Sequence, residues 1–200
     1  MQLIMSPLSP FVRFVRVAVR ELGLEDAIEE VRADTTPYTT PDLLRTANPL
    51  GKIPALVRDD GPALYDSRVI LRYLDTVAGG RLYPESRLWE VLTLEATAVG
   101  IAEAAVLMVY EGRLRPEARR HPEYVEAQWA KVASALDAVE GRWMSHLAGP
   151  VSAAQICTGC ALGYLDFRHE GRDWRAGHPA LNAWYASFAE RPAMVATAPG

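Results

Sequence analysis

The chain has 200 residues, of which half are hydrophobic and 23% are charged, and its formal net charge is −4 at pH 7. This length allows one large core or two small ones, and this composition is typical of a folded globular protein and excludes a disordered one. The acidic balance argues against nucleic acid or an anionic membrane as the main partner. We therefore expect no nucleic-acid partner and no membrane partner.

Targeting signals and disulfides are not evident in the sequence. A five-residue apolar run precedes an arginine-rich stretch, which is the wrong order for a secretory signal. The most apolar window, residues 91–110, contains Glu95 and Glu103, so the sequence predicts no membrane span. Two cysteines are too few for a disulfide scaffold in a chain of this length. These observations predict a cytoplasmic protein.

The first eighty residues alternate between strand and helix patterns. Residues 2–5 predict a buried strand, and residues 11–22 predict a helix with Ser9 as its N-cap and Pro10 at its first position. Asp66 or Ser67 caps another predicted helix, which runs to residue 78. Between them we predict the following elements in order: a strand at 27–31, a helix at 41–47, a strand at 53–58, a turn at 59–61 and a strand ending at 64–65. The predicted order is β-α-β-α-β-β-α.

A second region shows only helical periodicity. Residues 81–85 have the composition of a linker, so we predict domains at 1–80 and 86–200. Apolar stripes predict helices over residues 88–109, 125–147, 153–168 and 181–190. Ser152 and Gln155 have the spacing of a capping box for the third of these helices. The second region is therefore predicted to be an all-helical bundle.

Four motifs occur in a characteristic order along the chain. They are SPFVR at 9–13, NPLGKIPAL at 48–56, YDSRVILRYL at 65–74 and HPALNAWYASFAERPAM at 178–194. Together with the order of the two regions, they resemble the cytosolic glutathione S-transferase family, and bacterial members in particular, over essentially the whole chain. The resemblance implies a thioredoxin-like α/β domain followed by an all-α helical bundle, assembled as a homodimer. It also implies glutathione as a cosubstrate, and the histidines show no metal-ligand spacing.

Ser9 is the candidate catalytic residue. Glutathione attacks as its thiolate, and lowering a thiol pKa by about two pH units takes roughly 2.7 kcal/mol. A hydroxyl at a helix start supplies this through a hydrogen bond to the anion and the helix dipole. Ser9 would then be a hydrogen-bond donor to the sulfur. Redox relatives have a cysteine at this position, and the serine removes the route through a mixed disulfide. The alternatives are that Ser9 only caps the helix, or that Ser6 in the same loop makes the contact.

The resemblance assigns further glutathione-binding positions beside Ser9 and on two later segments: Pro10, Phe11, Lys52, Ile53, Pro54, Asp66 and Ser67. In the family, a cis peptide before the proline lets the backbone of Ile53 pair with the cysteinyl part of glutathione. Lys52 would bind the glycyl carboxylate. Asp66 and Ser67 would bind the ammonium and carboxylate of the γ-glutamyl end. Three of these assignments also have a purely structural alternative: Pro54 as a strand-edge proline, Lys52 as a solvated lysine, and Asp66 with Ser67 as a tandem helix cap.

The electrophile pocket is implied to lie between the thiolate and the helical domain. Its candidates on the first long helix are Leu107, Met108, Tyr110 and Arg113, with Trp174 and Arg175 as further candidates and ordinary packing as the alternative. The expected reaction joins the thiolate to a small, mostly apolar electrophile. A glutathione-dependent isomerase or lyase, or a non-catalytic interaction module, remains an alternative.

Cys157 and Cys160 have the CxxC spacing of redox proteins. Redox pairs of this type open a helix, where the dipole lowers a thiol pKa. This pair lies inside a helix already capped at Ser152, so we predict that it packs in a core. Gln155, at a position where the family usually has aspartate, is expected to complete the capping box.

Overall fold

The computed structural model describes residues 1–199 and divides them into two units of different architecture. The thioredoxin-like unit comprises residues 1–87 together with 192–199, and the helical unit comprises Leu88–Arg191. This division differs from the predicted one at both ends of the helical region. The predicted linker, residues 81–85, belongs to the thioredoxin-like unit, where the backbone N–H groups of Arg81 and Leu82 donate to the buried Asp75 carboxylate at 2.7 and 2.6 Å.

The thioredoxin-like unit is built on a four-stranded sheet. Its strands are β1 (Gln2–Met5), β2 (Glu29–Arg32), β3 (Ala55–Arg58) and β4 (Gly61–Leu64). They lie in the order β2-β1-β3-β4, with β1 parallel to β2 and β3 antiparallel to both β1 and β4. β3 begins at Ala55 and not at residue 53 as predicted, so Ile53 and Pro54 precede the strand.

Two α-helices connect strands of the sheet, and a third follows β4. They are α1 (Pro10–Glu21), α2 (Asp42–Ala47) and α3 (Ser67–Val77). The capping residues predicted from sequence are confirmed, since Ser9 caps α1 with Pro10 at its first position and Asp66 caps α3. Val12, Val15 and Val19 of α1 pack with apolar residues of β1, β3 and α3 in one buried core. The predicted βαβαββα order is confirmed.

The helical unit contains five α-helices. They are α4 (Leu88–Leu114), α5 (Pro122–Arg142), α6 (Met144–Leu147), α7 (Ala153–Arg168) and α8 (Pro179–Ala189). The prediction of one helix over 125–147 was wrong, because Trp143 ends α5 and begins α6. The third predicted helix is confirmed as α7, and every residue from Ala153 to Leu165 is buried. Cys157 and Cys160 are part of this buried stretch.

The α4 helix is apolar for most of its length. By length and composition it could cross a membrane, so the argument that Glu95 and Glu103 make its most apolar window too polar was wrong. In the helical unit, however, α4 packs against α5 and α7, and 56% of its most apolar window is buried inside the fold. Burial of this kind is typical of the central helix of a bundle.

The segment that follows Arg191 packs with the thioredoxin-like unit and not with the helical unit. Residues 192–199 begin with a short helix, α9 (Pro192–Val195), which packs on α1. The guanidinium of the buried Arg13 on α1 donates to the carbonyl oxygen of Met194 at 3.1 Å. This contact joins segments 181 residues apart, so local sequence patterns do not predict it.

Candidate functional site

Four segments of the thioredoxin-like unit meet at one end of the sheet. Because β1 and β2 are parallel, their carboxyl ends lie side by side, and because β3 runs against β1, its amino end lies there as well. The carboxyl end of β4 joins them, since β4 is antiparallel to β3. The sheet therefore brings together the residues that follow β1, β2 and β4 with the two that precede β3. The helices α1 and α3 also begin at this end, so both direct their N–H groups and positive dipole ends toward it.

Ser9 lies where α1 begins. Its hydroxyl oxygen accepts a hydrogen bond from the N–H of Val12 at 3.4 Å, and its own N–H donates to the carbonyl of Ser6 at 3.1 Å. Ser9 is half-buried, and Pro10 behind it is buried. Among the hydrogen bonds of residues 1–199, Ser9 Oγ serves only as an acceptor. The hydroxyl proton is thus available for an acceptor outside the chain.

Ser6, the alternative sulfur contact, is differently placed. Its hydroxyl donates to Asp34 Oδ1 at 2.7 Å, and only 6% of the residue is exposed. This bond, together with Arg32 Nε at 3.1 Å from Oδ2, lowers the pKa of the Asp34 carboxyl below its usual value. Asp34 was not predicted as a site residue. The only local signal was the run of turn-forming residues after β2.

The loop before β3 is fixed by the buried side chain of Asn48. Its amide nitrogen donates to the carbonyl of Lys52 at 2.7 Å, and its amide oxygen accepts from the N–H of Leu50 at 3.0 Å. Gly51 has φ +65°, and a Cβ there would lie 2.7 Å from Thr40 Oγ1, so the loop requires glycine. The side chain of Lys52 is exposed.

The Ile53–Pro54 peptide bond that follows this loop is cis, as is the Tyr65–Asp66 bond before α3. Asp66 accepts at Oδ1 from the N–H of Arg68 at 3.1 Å, and the Arg68 guanidinium lies 3.4 Å from Oδ2. The carboxylate remains 58% exposed, whereas Ser67, the first residue of α3, is only 3% exposed. A carboxylate and a helix N-terminus therefore lie next to each other at residues 66 and 67.

The predicted electrophile residues lie near the carboxyl end of α4 in the helical unit. Leu107 is 42% exposed, whereas Met108 is buried, which favours ordinary packing for Met108. Burial raises the pKa of Tyr110, which lies near Tyr164 of α7. The pKa of Tyr164 is raised to about 12, mainly by burial. Both phenols are therefore protonated at neutral pH and can donate a hydrogen bond.

Trp174 and Arg175, the further candidates, have their polar groups engaged within the helical unit. The indole N–H of Trp174 donates to Asp166 Oδ1 at 2.7 Å, and Arg175 binds both carboxylate oxygens of Asp166 at 2.6 and 2.8 Å. This bidentate bond raises the pKa of Arg175. These contacts favour a structural role for both residues. Among residues 1–199, no group of three or more His, Cys, Asp or Glu is placed to hold a metal ion.

Comparison with known proteins agrees with this architecture. Residues 8–77 match the family model for the glutathione S-transferase N-terminal domain, and residues 122–187 match the model for the C-terminal domain. The uncharacterised GST-like protein YibF of Escherichia coli K12 is 31% identical over 205 residues, which cover 100% of this chain and 98% of that protein. The chain belongs to the glutathione S-transferase family.

Solved structures of bacterial relatives contain glutathione. A glutathione transferase family member from Pseudomonas fluorescens Pf-5 with bound glutathione is 42% identical, with a TM-score of 0.97 over 100% of this chain and 98% of that one. The structure of that family member with bound S-(propanoic acid)-glutathione has a TM-score of 0.92, with both chains covered completely. A glutathione S-transferase from Methylobacillus flagellatus with glutathione bound is 36% identical, with a TM-score of 0.87 over 100% of this chain and 99% of that one.

Proposed function

We propose that the chain is a glutathione transferase in which the Ser9 hydroxyl donates a hydrogen bond to the glutathione sulfur and stabilises the thiolate. The observation that carries this proposal is the uncommitted proton of Ser9 at the start of α1, beside a Ser6 hydroxyl whose proton is held by Asp34. A hydrogen bond to a charged acceptor stabilises it by about 1.5 to 3 kcal/mol. That energy lowers a thiol pKa by about one to two pH units.

We propose that the rest of glutathione binds at the same end of the sheet. The backbone of Ile53 lies outside the β3 ladder and is available to the cysteinyl part of the tripeptide. Lys52 is exposed on a loop that Asn48 holds in place, which suits an ion pair with the glycyl carboxylate. The γ-glutamyl ammonium would bind Asp66, in competition with Arg68, and its carboxylate would bind at Ser67, where α3 begins.

The electrophile is proposed to be small and mostly apolar, and to contact Leu107, Met108, Tyr110 and Arg113 of the helical unit. The structure of the Pseudomonas fluorescens relative with S-(propanoic acid)-glutathione suggests a second class of electrophile to test, the unsaturated carboxylic acids. Acrylate is a suitable probe of that class. The thiolate adds to its β-carbon and a solvent proton adds to its α-carbon, which leaves a propanoic acid group on sulfur.

We also propose a homodimer that works in the cytoplasm in detoxification. Exposed apolar side chains of the thioredoxin-like unit support a partner surface: Tyr38 is 77% exposed, Leu50 68% and Leu43 51%. Both cysteines are buried thiols outside any disulfide, which fits a reducing compartment. Light scattering over a concentration series measures the oligomeric state, and a monomer at all concentrations would contradict the dimer.

The test of the proposed chemistry is Ser9→Ala. We expect the variant to bind glutathione in calorimetry but to lose about 10- to 100-fold in kcat/KM at neutral pH. When bound glutathione is titrated and the thiolate is followed by its ultraviolet absorbance, the midpoint should move to a higher pH, toward the ordinary thiol pKa of about 8.5. Turnover is followed with an aryl chloride and with acrylate. Ser145→Ala, at an exposed serine of α6, is the control and should match the parent protein.

The same experiment separates the competing functions. If the parent protein fails to bind glutathione, the chain is a non-catalytic interaction module. If it binds glutathione and forms thiolate but consumes none while converting an isomerisable substrate, it is an isomerase or lyase. Disulfide exchange that survives in Ser9→Ala contradicts the assigned role of Ser9.

A further inference from the structure

The loops after β1 and β2 are joined by a hydrogen bond that the proposed reaction does not itself use. Ser6 Oγ donates to Asp34 Oδ1 at 2.7 Å. Ser6 is 6% exposed, whereas the Asp34 side chain is 60% exposed. The bond links residues 28 positions apart and lies at the end of the sheet where α1 begins.

Ser6 is also bonded to Ser9 through its main chain. The carbonyl of Ser6 accepts from the N–H of Ser9 at 3.1 Å, and this bond closes the loop that leads into α1. Ser9 has φ −87° and ψ 127°, the extended conformation of an N-cap, which directs its hydroxyl at the helix end. Ser6 therefore bonds to Asp34 through its side chain and to Ser9 through its backbone.

Asp34 is kept ionised by its surroundings. Arg32 Nε donates to Oδ2 at 3.1 Å while Ser6 occupies Oδ1. These bonds lower the pKa of the Asp34 carboxyl, so it carries its charge at every pH at which a thiolate forms. A hydrogen bond from Ser6 to an ionised carboxylate is stronger than a neutral one and fixes the direction of the hydroxyl.

We infer that Ser6 and Asp34 are positioning residues that set the place of the Ser9 hydroxyl, and through it the extent to which bound glutathione is ionised. This inference rests on the proposed function of Ser9. Neither residue needs to touch the sulfur. Loss of either relaxes the loop, and a donor that is poorly aligned stabilises an anion less.

The sign of one effect separates positioning from a direct electrostatic role. A nearby carboxylate disfavours a second anion, so removing only its charge would lower the pKa of the glutathione thiol. Loss of positioning raises it. Asp34→Asn therefore raises the thiol pKa if Asp34 acts through Ser9 and lowers it if Asp34 acts as a charge.

The experiment uses the full-length protein with Ser6→Ala and Asp34→Asn. Asp60→Asn is the matched control, because Asp60 is 67% exposed and pairs with Arg58 at 3.3 Å in the turn between β3 and β4. We expect Ser6→Ala to lower kcat about tenfold, as for a weakened hydrogen bond to an anion. In both variants, the midpoint of the pH titration that follows the absorbance of bound thiolate should move to a higher pH. The dissociation constant of glutathione should stay within about twofold when it is measured at a pH below the pKa of the bound thiol, where the sulfur is protonated in the parent protein and in both variants.

A double-mutant cycle with Ser9→Ala tests whether the pair acts through Ser9. We expect Ser6→Ala and Asp34→Asn to change neither kcat nor the thiol pKa in the Ser9→Ala background. Equal effects in both backgrounds would overturn the inference, as would variants that match Asp60→Asn. If Ser9→Ala alone leaves the thiol pKa unchanged, the proposed function fails instead. Should Ser6→Ala not fold, the exposed Asp34→Asn carries the test by itself.

Discussion

Ser9 and Ser152 both cap the start of a helix, but their hydroxyl groups are used in opposite ways. Ser152 is 1% exposed, and its hydroxyl accepts from the N–H of Ala154 at 3.3 Å and donates to Gln155 Oε1 at 2.5 Å. Ser9 accepts from Val12 and donates to no other described residue. The hydroxyl of Ser152 is fully used inside the helical unit, whereas that of Ser9 has a proton left for a ligand. A serine that caps a helix can therefore either stabilise the core, as Ser152 does, or keep a proton that can bind a ligand, as Ser9 does.

The surroundings of Ser152 explain why its cap is complete. The Gln155 amide oxygen accepts from both the N–H and the hydroxyl of Ser152, at 3.0 and 2.5 Å. Its amide nitrogen donates to the carbonyls of His146 and Pro150 at 3.0 and 2.9 Å. A glutamine supplies two donors that an aspartate lacks. The side chain therefore ties the start of α7 to the segment that follows α6.

The largest expected effect is that of Gln155→Glu on the stability of the helical unit. The substitution keeps the acceptor for Ser152 but places a buried carboxylate against two carbonyl oxygens. We expect the free energy of unfolding to fall by about 3 to 5 kcal/mol, as for other uncompensated buried charges. Tryptophan fluorescence in a denaturant series measures it, because all five tryptophans lie in this unit: Trp89, Trp129, Trp143, Trp174 and Trp184.

Gln128→Glu is the matched control for this prediction. Gln128 is 5% exposed on α5, and its amide oxygen accepts from Lys131 Nζ at 3.3 Å. A glutamate there keeps the acceptor and gains a cationic partner, so we expect a smaller loss than at residue 155. Equal losses of stability would show that the burial of a charge alone destabilises the protein and that the carbonyl oxygens of His146 and Pro150 add nothing to the effect.

A smaller effect is expected when the two caps are compared directly. Ser152→Ala should lower the free energy of unfolding by about 2 kcal/mol, because it leaves buried partners without a bond. Ser9→Ala should cost about 0.5 kcal/mol, since its cap bond is 3.4 Å long and the residue is half-buried. Denaturation followed by circular dichroism gives both values. A larger loss for Ser9→Ala would mean that Ser9 is mainly a structural cap and would weaken its assignment as a donor.

The smallest effect concerns pH and His169 at the end of α7. Its Nε2 bonds to the carbonyl of Ala105 at 3.0 Å and must be the donor there, and burial lowers its pKa from 6.5. The unfolded chain therefore takes up a proton at higher pH than the folded one. Stability should fall as the pH drops from about 6.5 toward the lower folded-state pKa. His169→Gln keeps a donor and should flatten this slope in melting curves, and an unchanged slope would assign it to other groups.

The sequence predicted the helix caps correctly because the residues that form a cap lie close together along the chain. Both serine caps, Pro10 at the first position of α1 and the Ser152–Gln155 box lie within three or four residues of the groups they bond, so their spacing reveals them. The break at Trp143 was missed because the apolar stripe continues through α5 and α6 with helical spacing. Periodicity reports which face is apolar, and it does not report a change in helix direction.

Long-range contacts account for what could not be predicted. The bond from Ser6 to Asp34 depends on the pairing of β1 with β2, which sets their register, and no pattern within either segment fixes it. The loop before α1 offers Ser6 and Ser9 as alternative donors, and the position of Asp34 distinguishes them. The same holds for Arg13 and Met194, which lie 181 residues apart.

The return of residues 192–199 to the thioredoxin-like unit has a consequence for synthesis. During translation the ribosome makes residues 1–87 first, then the entire helical unit, and only afterwards the segment that contains α9. Domains generally fold as units while the chain emerges. Until α9 is made, Arg13 lacks the Met194 carbonyl as an acceptor and the apolar surface of α1 that α9 covers is open to solvent. The thioredoxin-like unit therefore cannot cover this part of α1 until all residues of the helical unit have been synthesised.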